Sequence, residues 1–164
     1  MGFPMAKNLL KSGVKLKVFN RTVKKADPLK NFGAEISSSI GEVVKNCDFI
    51  ITMLTDDVAV DMVMSNVDFL ENLKIGSILI DMSSVKPSTA IKYGKIFKSK
   101  NINYLDAPVS GGTIGAEEGS LAIMVGGEQT IFDKSTDILK IMGKPELVGP
   151  IGSGQVSKLA NQII

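Results

Sequence analysis

The sequence predicts an α/β protein built on an open, doubly wound and mostly parallel sheet. Three observations carry this. Residues 48–54 (DFIITML) and 77–82 (SILIDM) are near-continuous apolar runs of strand length, the pattern of strands covered on both faces. Helical segments alternate with the strand-like ones, which favours parallel pairing through crossover connections. The 164 residues, 44% hydrophobic and 22% charged, suffice for one domain with its own core, and no repeat, low-complexity tract or linker interrupts them.

The elements follow in chain order. Residues 1–12 read as a helix with Met5 and Leu9 on one face, stopped by Gly13. Residues 14–19 alternate apolar and basic, hence a strand, and 22–32 read as a helix ended by Gly33. Residues 34–36 make a short strand. Ser38 or Ser39 caps a helix reaching Asn46, with Glu42 placed for a capping box. After the strand at 48–54 come a helix at 56–64 and a turn or helix at 67–73. The strand at 77–82 precedes a helix at 87–98, opened by Pro87 as proline at a first helical position does. Strands at 102–105 and 121–125 flank a glycine-rich loop. A helix at 129–142, a short strand at 147–148 and a helix running from Gly154 to Ile164 complete the chain. Methionines 53, 62, 64, 82, 124 and 142 read as core filler.

Composition removes several function classes. A net charge of +2 is too small to argue for nucleic acid. No apolar run reaches the roughly 18–20 residues of a membrane span. No signal peptide is visible, so a cytoplasmic location is expected. The single cysteine, Cys47, permits no internal disulfide framework. The chain has no histidine. That excludes Ser-His-Asp and Cys-His catalysis and every histidine-based metal site, and no metal is expected. Proton transfer must use lysine, a carboxylate, tyrosine or cysteine.

Two stretches carry candidate chemistry. The first is DAPVSGGTIGAEEG at residues 106–119. Its Ser110, Gly111 and Gly112 supply one hydroxyl and successive unshielded backbone N–H groups, a cradle suited to a carboxylate. The second is GSGQVSKLANQ at residues 152–162. On a helix, Lys158 shares a face with Asn161 and Gln162, at i+3 and i+4, so one amine and two amides can address one ligand. Its neighbours Leu159, Ala160, Ile163 and Ile164 are apolar.

These motifs resemble those of the β-hydroxyacid dehydrogenases, a family that includes 3-hydroxyisobutyrate dehydrogenase, tartronate semialdehyde (2-hydroxy-3-oxopropionate) reductase and the glyoxylate/succinic semialdehyde reductases. Four blocks match in order. Residues 1–9 (MGFPMAKNL) resemble the end of the family's G-x-G-x-M-G-x-P-M-A-x-N-L, placing Met1 and Gly2 near the cofactor pyrophosphate, with Gly2 allowing close helix–strand packing. Asn20, Arg21 and Thr22 end the second strand, where the adenosine ribose sits. No carboxylate stands there, and an arginine accommodates the 2′-phosphate of NADP, so NADP is expected ahead of NAD. Met53, Leu54 and Thr55, with Ser83 and Ser84, end two strands that border the cofactor in the family. Thr55 stands where relatives usually have proline. The fourth block resembles the family's G-x-G-x-x-x-K-x-x-N helix, whose lysine is catalytic; the matching residue is Lys158.

The resemblance implies a Rossmann-type sheet that lacks its first strand, together with the start of the interdomain helix. The chain is thus expected to be an incomplete NAD(P)-binding domain, residues 1–164, without a C-terminal helical domain, and not a competent catalyst alone. The implied function is NADP(H)-dependent hydride transfer to a small semialdehyde, first choice 2-hydroxy-3-oxopropionate, with 3-hydroxyisobutyrate or glyoxylate/succinic semialdehyde as alternatives. A non-catalytic NADP-binding scaffold is the rival class. 6-Phosphogluconate dehydrogenase has a similar loop but a histidine after its lysine, which this chain lacks. The expected partners are a small carboxylate substrate and, for the full-length protein, further copies of itself, with no nucleic acid or membrane.

Overall fold

A computed structural model describes residues 1–163. Ile164, to which the last helix was expected to run, lies outside the described residues. The strands form two sheets. A short parallel pair joins β1 (Lys17–Val18) to β2 (Glu35–Ile36). The main sheet runs β3 (Phe49–Thr52), β4 (Ile78–Asp81), β5 (Asn103–Asp106), β7 (Leu121–Gly126), β6 (Val109–Ser110), with β8 (Gly143–Gly149) also paired to β7. Pairing is parallel for β3–β4, β4–β5 and β7–β8 and antiparallel where β7 meets β5 and β6. The sheet is α/β and mostly parallel, as expected. It parts between the β1–β2 pair and β3, so among the described residues β3 has one unpaired edge.

Both faces are covered, which is why the strand sequences are so apolar. On one face, α1 (Gly2–Lys11), α6 (Gly112–Glu118) and α7 (Gln129–Lys140) bury Met5, Leu9, Ala116 and Leu139 against Ile78, Ile80, Leu105 and Ile123. On the other, α2 (Ile40–Val44), α3 (Asp57–Met64), α4 (Val67–Asn72) and α5 (Pro87–Ser99) bury Val44, Val60, Phe69, Tyr93 and Phe97 against Ile50, Leu79 and Tyr104. The pleat sends Ile78 and Ile80 one way and Leu79 the other. Each such side chain, fully buried, contributes roughly 1.5–3 kcal/mol. Finally α8 (Ser153–Ile163) crosses the carboxyl ends of the strands, touching β7, β8, β5 and α5.

Several expectations need correction. The strand at 14–19 shrinks to two residues, and 22–32 forms two 3₁₀ turns, Val23–Lys25 and Asp27–Phe32. Pro28 has no N–H to donate and disfavours an α conformation at Asp27. The α2 helix stops at Val44, short of Asn46, which takes a left-handed φ of 62°. Its cap is Ser39, whose Oγ accepts from Glu42 N–H; the Glu42 carboxylate reaches one residue further back, to Ser38. Met62 is exposed, while Met64, Met82 and Met142 are fully buried. The glycine-rich stretch is no loop: it contains β6 and α6. Among the described residues no helix is long and apolar enough to cross a membrane, and no metal-binding cluster is present.

Candidate active site at the carboxyl ends of the strands

The carboxyl ends of β4 and β5 meet α8, and the end of β3 is tied to that of β4. The polar groups there are fixed by a buried network. Thr52 Oγ1 donates to Asp81 Oδ1 at 2.8 Å, and Ser83 N–H donates to the same oxygen at 3.1 Å. Leu54 N–H donates to Ser83 Oγ at 2.9 Å, which ties the β3 end to the β4 end. Asp81 and Asp106 are register partners on β4 and β5, and both are fully buried. Burial pushes the Asp81 carboxyl above its ordinary range. Burial likewise raises Asp106, to about 6, despite the N–H groups that favour its ionised form. Tyr104, two residues before Asp106 on β5, is held well above its ordinary value by burial and by the neighbouring carboxylates.

Asp106 reaches α8. Its Oδ1 accepts from Gly152 N–H at 2.7 Å and its Oδ2 from Gln155 N–H at 3.0 Å. Gly154 must be glycine for this approach: a Cβ there would lie 2.4 Å from Met124 O and 2.8 Å from the Asp106 carboxylate. Gln155, itself buried, takes Val85 N–H on Oε1 at 3.0 Å and gives its amide N–H to Ser83 O at 2.8 Å. The helix carrying Lys158 is therefore held from two sides.

Lys158, half-buried, lines a cleft of about 240 Å³ with Ser84, Gln155, Gln162 and Asp57. Asn161 points elsewhere, its Nδ2 donating to Ser110 Oγ at 3.1 Å. The two amides therefore do not act as a pair: Gln162 addresses the Ser84 side and Asn161 the Ser110 side. Gly111 and Gly112 adopt φ of 133° and 61°, which only glycine takes freely, and open α6. The unshielded N–H groups expected in a loop are instead those of the first turn of this helix.

Of the residues expected to hold the cofactor, Met53, Leu54, Thr55, Ser83 and Ser84 follow the carboxyl ends of β3 and β4, and Asn20, Arg21 and Thr22 follow β1. Met1 is the N-cap of α1 without a side-chain cap, so the first-turn N–H groups remain open to an anion. Gly2 does not serve close packing as expected: a Cβ there would lie 3.8 Å from Met53, an ordinary contact. Asn20 Nδ2 donates to Thr22 O at 2.7 Å and shapes the turn after β1, leaving Arg21 and Thr22 exposed. Nearby, Ser37 N–H bonds Val18 O, while the buried Ser37 hydroxyl has no partner among the described residues. Exposed arginine, open helix N-terminus and, among the described residues, an orphaned hydroxyl fit a phosphorylated, polar dinucleotide. Thr55 Oγ1 is spent locally on Asp56, the N-cap of α3.

A wider hollow of about 500 Å³ opens at the amino ends of β3 and β4, by Asp48, Lys74, Ser77 and Lys134. Lys74 is already paired with Asp48 there, and no strand carboxyl end reaches it.

Asp106, Gln155, Ser37 and Asn8 are among the residues that went unassigned on sequence. The Asn8 amide donates to Ala116 O at 2.8 Å and to Glu117 O at 3.3 Å, joining α1 to the end of α6. Asp106 and Gln155 did carry a signal, a polar residue amid an apolar run and a glutamine between glycine and valine, but their partners lie 46 to 72 residues away.

A doubly wound sheet that gathers its polar groups at the carboxyl ends of its strands is a dinucleotide-binding architecture. The chain belongs to the family described as the NAD binding domain of 6-phosphogluconate dehydrogenase, which residues 1–154 match. It is 43% identical over 166 residues to the uncharacterized oxidoreductase YkwC of Bacillus subtilis, covering 99% of this chain and 57% of the relative. Among solved structures it superposes on the Mycobacterium tuberculosis 3-hydroxyisobutyrate dehydrogenase with L-serine, at TM-score 0.95 and 31% identity, covering 99% of this chain and 56% of that one. It also matches Psf3 in complex with NADP+ and 2-OPP, at TM-score 0.95 and 28% identity, covering 99% and 58%. The chain thus spans little more than half the length of these relatives.

Proposed function

We propose that this chain is the cofactor-binding part of an NADP(H)-dependent reductase of small β-hydroxyacids and semialdehydes. The observation that carries the reading is the convergence of Lys158, Ser84 and Gln162 in one cleft, with Asn161 bonded to Ser110 beside it. Bound NADPH would supply a hydride to the substrate carbonyl carbon. Lys158 Nζ gives a proton to the carbonyl oxygen, or takes one from the alcohol in reverse; with no histidine in the chain it is the amine best placed for this. Ser110 Oγ and the backbone of Gly111 and Gly112 hold the carboxylate. Arg21, exposed after β1, would hold the 2′-phosphate and so favour NADP over NAD.

Three supports come from the relatives. The Psf3 complex holds NADP+. The M. tuberculosis enzyme is named for a β-hydroxyacid, and its L-serine ligand carries a carboxylate and a β-hydroxyl. The first-choice substrate is 2-hydroxy-3-oxopropionate, on the KLANQ wording of α8; 3-hydroxyisobutyrate and glyoxylate/succinic semialdehyde come next. The whole protein is proposed to act in the cytoplasm as a homo-oligomer, without nucleic acid or membrane.

The test is NADPH oxidation against a panel of semialdehydes, run on this chain and on a form extended to the length of its relatives. Turnover with at least one, faster than with NADH, is expected of the extended form. Tight NADPH binding without turnover on any substrate would favour the scaffold reading.

A further inference from the structure

The buried carboxylate of Asp106 has no place in the chemistry above, yet it makes the two hydrogen bonds that start α8. We propose that Asp106 is the positioning residue of Lys158: it fixes the first turn of α8 from the end of β5 and so sets where the lysine enters the cleft. The proposal rests on the reading of Lys158 as the proton-transfer group.

The geometry is that of an N-cap supplied from a distant strand. An α-helix begins with N–H groups that have no intrahelical acceptor, normally satisfied by a serine, threonine or aspartate just before it. Residues 149–152 (GPIG) offer no such side chain. The acceptor comes instead from 46 and 49 residues upstream, with one carboxylate oxygen for Gly152 and the other for Gln155. Two glycines make room for it: a Cβ on Gly126 would lie 2.4 Å from Oδ1, and one on Gly154 would lie 2.8 Å from Oδ2. Fixing Gly152 and Gln155 fixes the rotation of the helix, and Lys158 follows Gln155 by three residues, close to one turn. Gln155 adds the second restraint through Ser83 O and Val85 N–H, in the segment that leads to Ser84 across the cleft. A simple packing role would not need both carboxylate oxygens aimed at the backbone of one helix.

The charged and titratable groups facing Asp106 are Asp81 on β4 and Tyr104 on β5. Neither bonds α8 among the described residues, so the restraint on its first turn is carried by Asp106 and the Gln155 side chain, while Asn161 ties the helix further on to Ser110.

The test compares Asp106→Asn with the parent, reading backbone amide exchange by NMR and the ¹³C signal of Lys158 after reductive ¹³C-methylation. Asparagine keeps the shape but turns one acceptor into a donor facing an N–H. Exchange at Gly152 and Gln155 should quicken roughly ten- to hundredfold, as loss of a charge-assisted bond implies. The amides of β4 should keep their protection, and the Lys158 signal should shift or broaden while those of exposed lysines such as Lys95 stay put. Unchanged α8 exchange, or an unchanged Lys158 signal, would overturn the proposal. If Asp106→Asn does not fold, Gln155→Glu keeps the backbone bond to Asp106 but loses the donor to Ser83; it should shift Lys158 less than Gly154→Ala, which forces the carboxylate away, and the reverse order would overturn the proposal. None of these readouts needs substrate, so a failure of Lys158 as the proton donor would show separately, in turnover, and leave them unchanged.

Discussion

Asn161 Nδ2 donates to Ser110 Oγ at 3.1 Å, across 51 residues of sequence. One bond thus ties the helix that bears Lys158 to the strand that opens the glycine turn. A carboxylate arriving at Ser110 meets a hydroxyl whose oxygen is already engaged as an acceptor, so its proton is free to point at the incoming anion. Ser110→Ala removes that donor. In the extended enzyme it should raise KM for the carboxylate substrate about tenfold or more, the worth of one charge-assisted hydrogen bond. NADPH affinity should change little. Calorimetric titration of NADPH beside steady-state kinetics separates the two, and an unchanged KM would remove Ser110 from the carboxylate site.

Lys158→Ala should lower kcat by roughly 10²–10⁴, the usual contribution of a positioned proton donor, with cofactor binding nearly intact. Its place in the cleft beside Ser84 and Gln162 is what motivates this. Parent-like kcat in the extended mutant would refute the assignment.

Arg21 is exposed at the end of β1 and has no carboxylate partner among the described residues, so its charge is available to a phosphate. Arg21→Ala should cut the NADP-over-NAD preference about ten- to hundredfold, from a charge-assisted bond of roughly 1.5–3 kcal/mol. Equal affinity of the parent for both cofactors would contradict the premise.

Much of the fold was legible because hydrophobic pattern and burial agree. The runs at 48–54 and 77–82 are apolar on both faces, and β4 is buried at every residue. Reading failed where local chemistry and tertiary context part. Residues 22–32 carry good helix formers, yet Pro28 and the tight return to β2 draw them into 3₁₀ turns. Glycines 111, 112, 115 and 119 spell a loop by propensity, but packing of Gly115 and Ala116 against the sheet makes a helix of them, with the left-handed Gly119 as its stop. In the site, the residues proposed to touch ligands could be taken from the motifs. Those that hold them, Asp106 and Gln155, bond backbone groups far along the chain, and no spacing rule reports such partners.

The raised pKa of Asp106 gives stability a pH dependence of unusual sign. A carboxyl that titrates near 6 in the folded chain and near 3.9 when unfolded keeps its proton on folding between those values. In that window the native state binds more protons than the unfolded state. The contribution of this group is therefore fully present below about pH 4 and is lost as pH rises through 6. Two pKa units correspond to on the order of 2–3 kcal/mol. Asp81, raised by burial as well, acts with the same sign. Asp57 opposes them: the Thr89 hydroxyl lowers its pKa, so its contribution is present above the ordinary carboxylate range and is lost as pH falls. Net stability mixes these trends, but the difference between the parent and Asp106→Asn isolates one of them. Urea midpoints from pH 4 to 7 should show the parent losing ground to the variant as pH rises, by on the order of 2 kcal/mol in all. A difference that stays flat over this range would mean that Asp106 ionises as freely as an exposed carboxylate, against its complete burial behind α8.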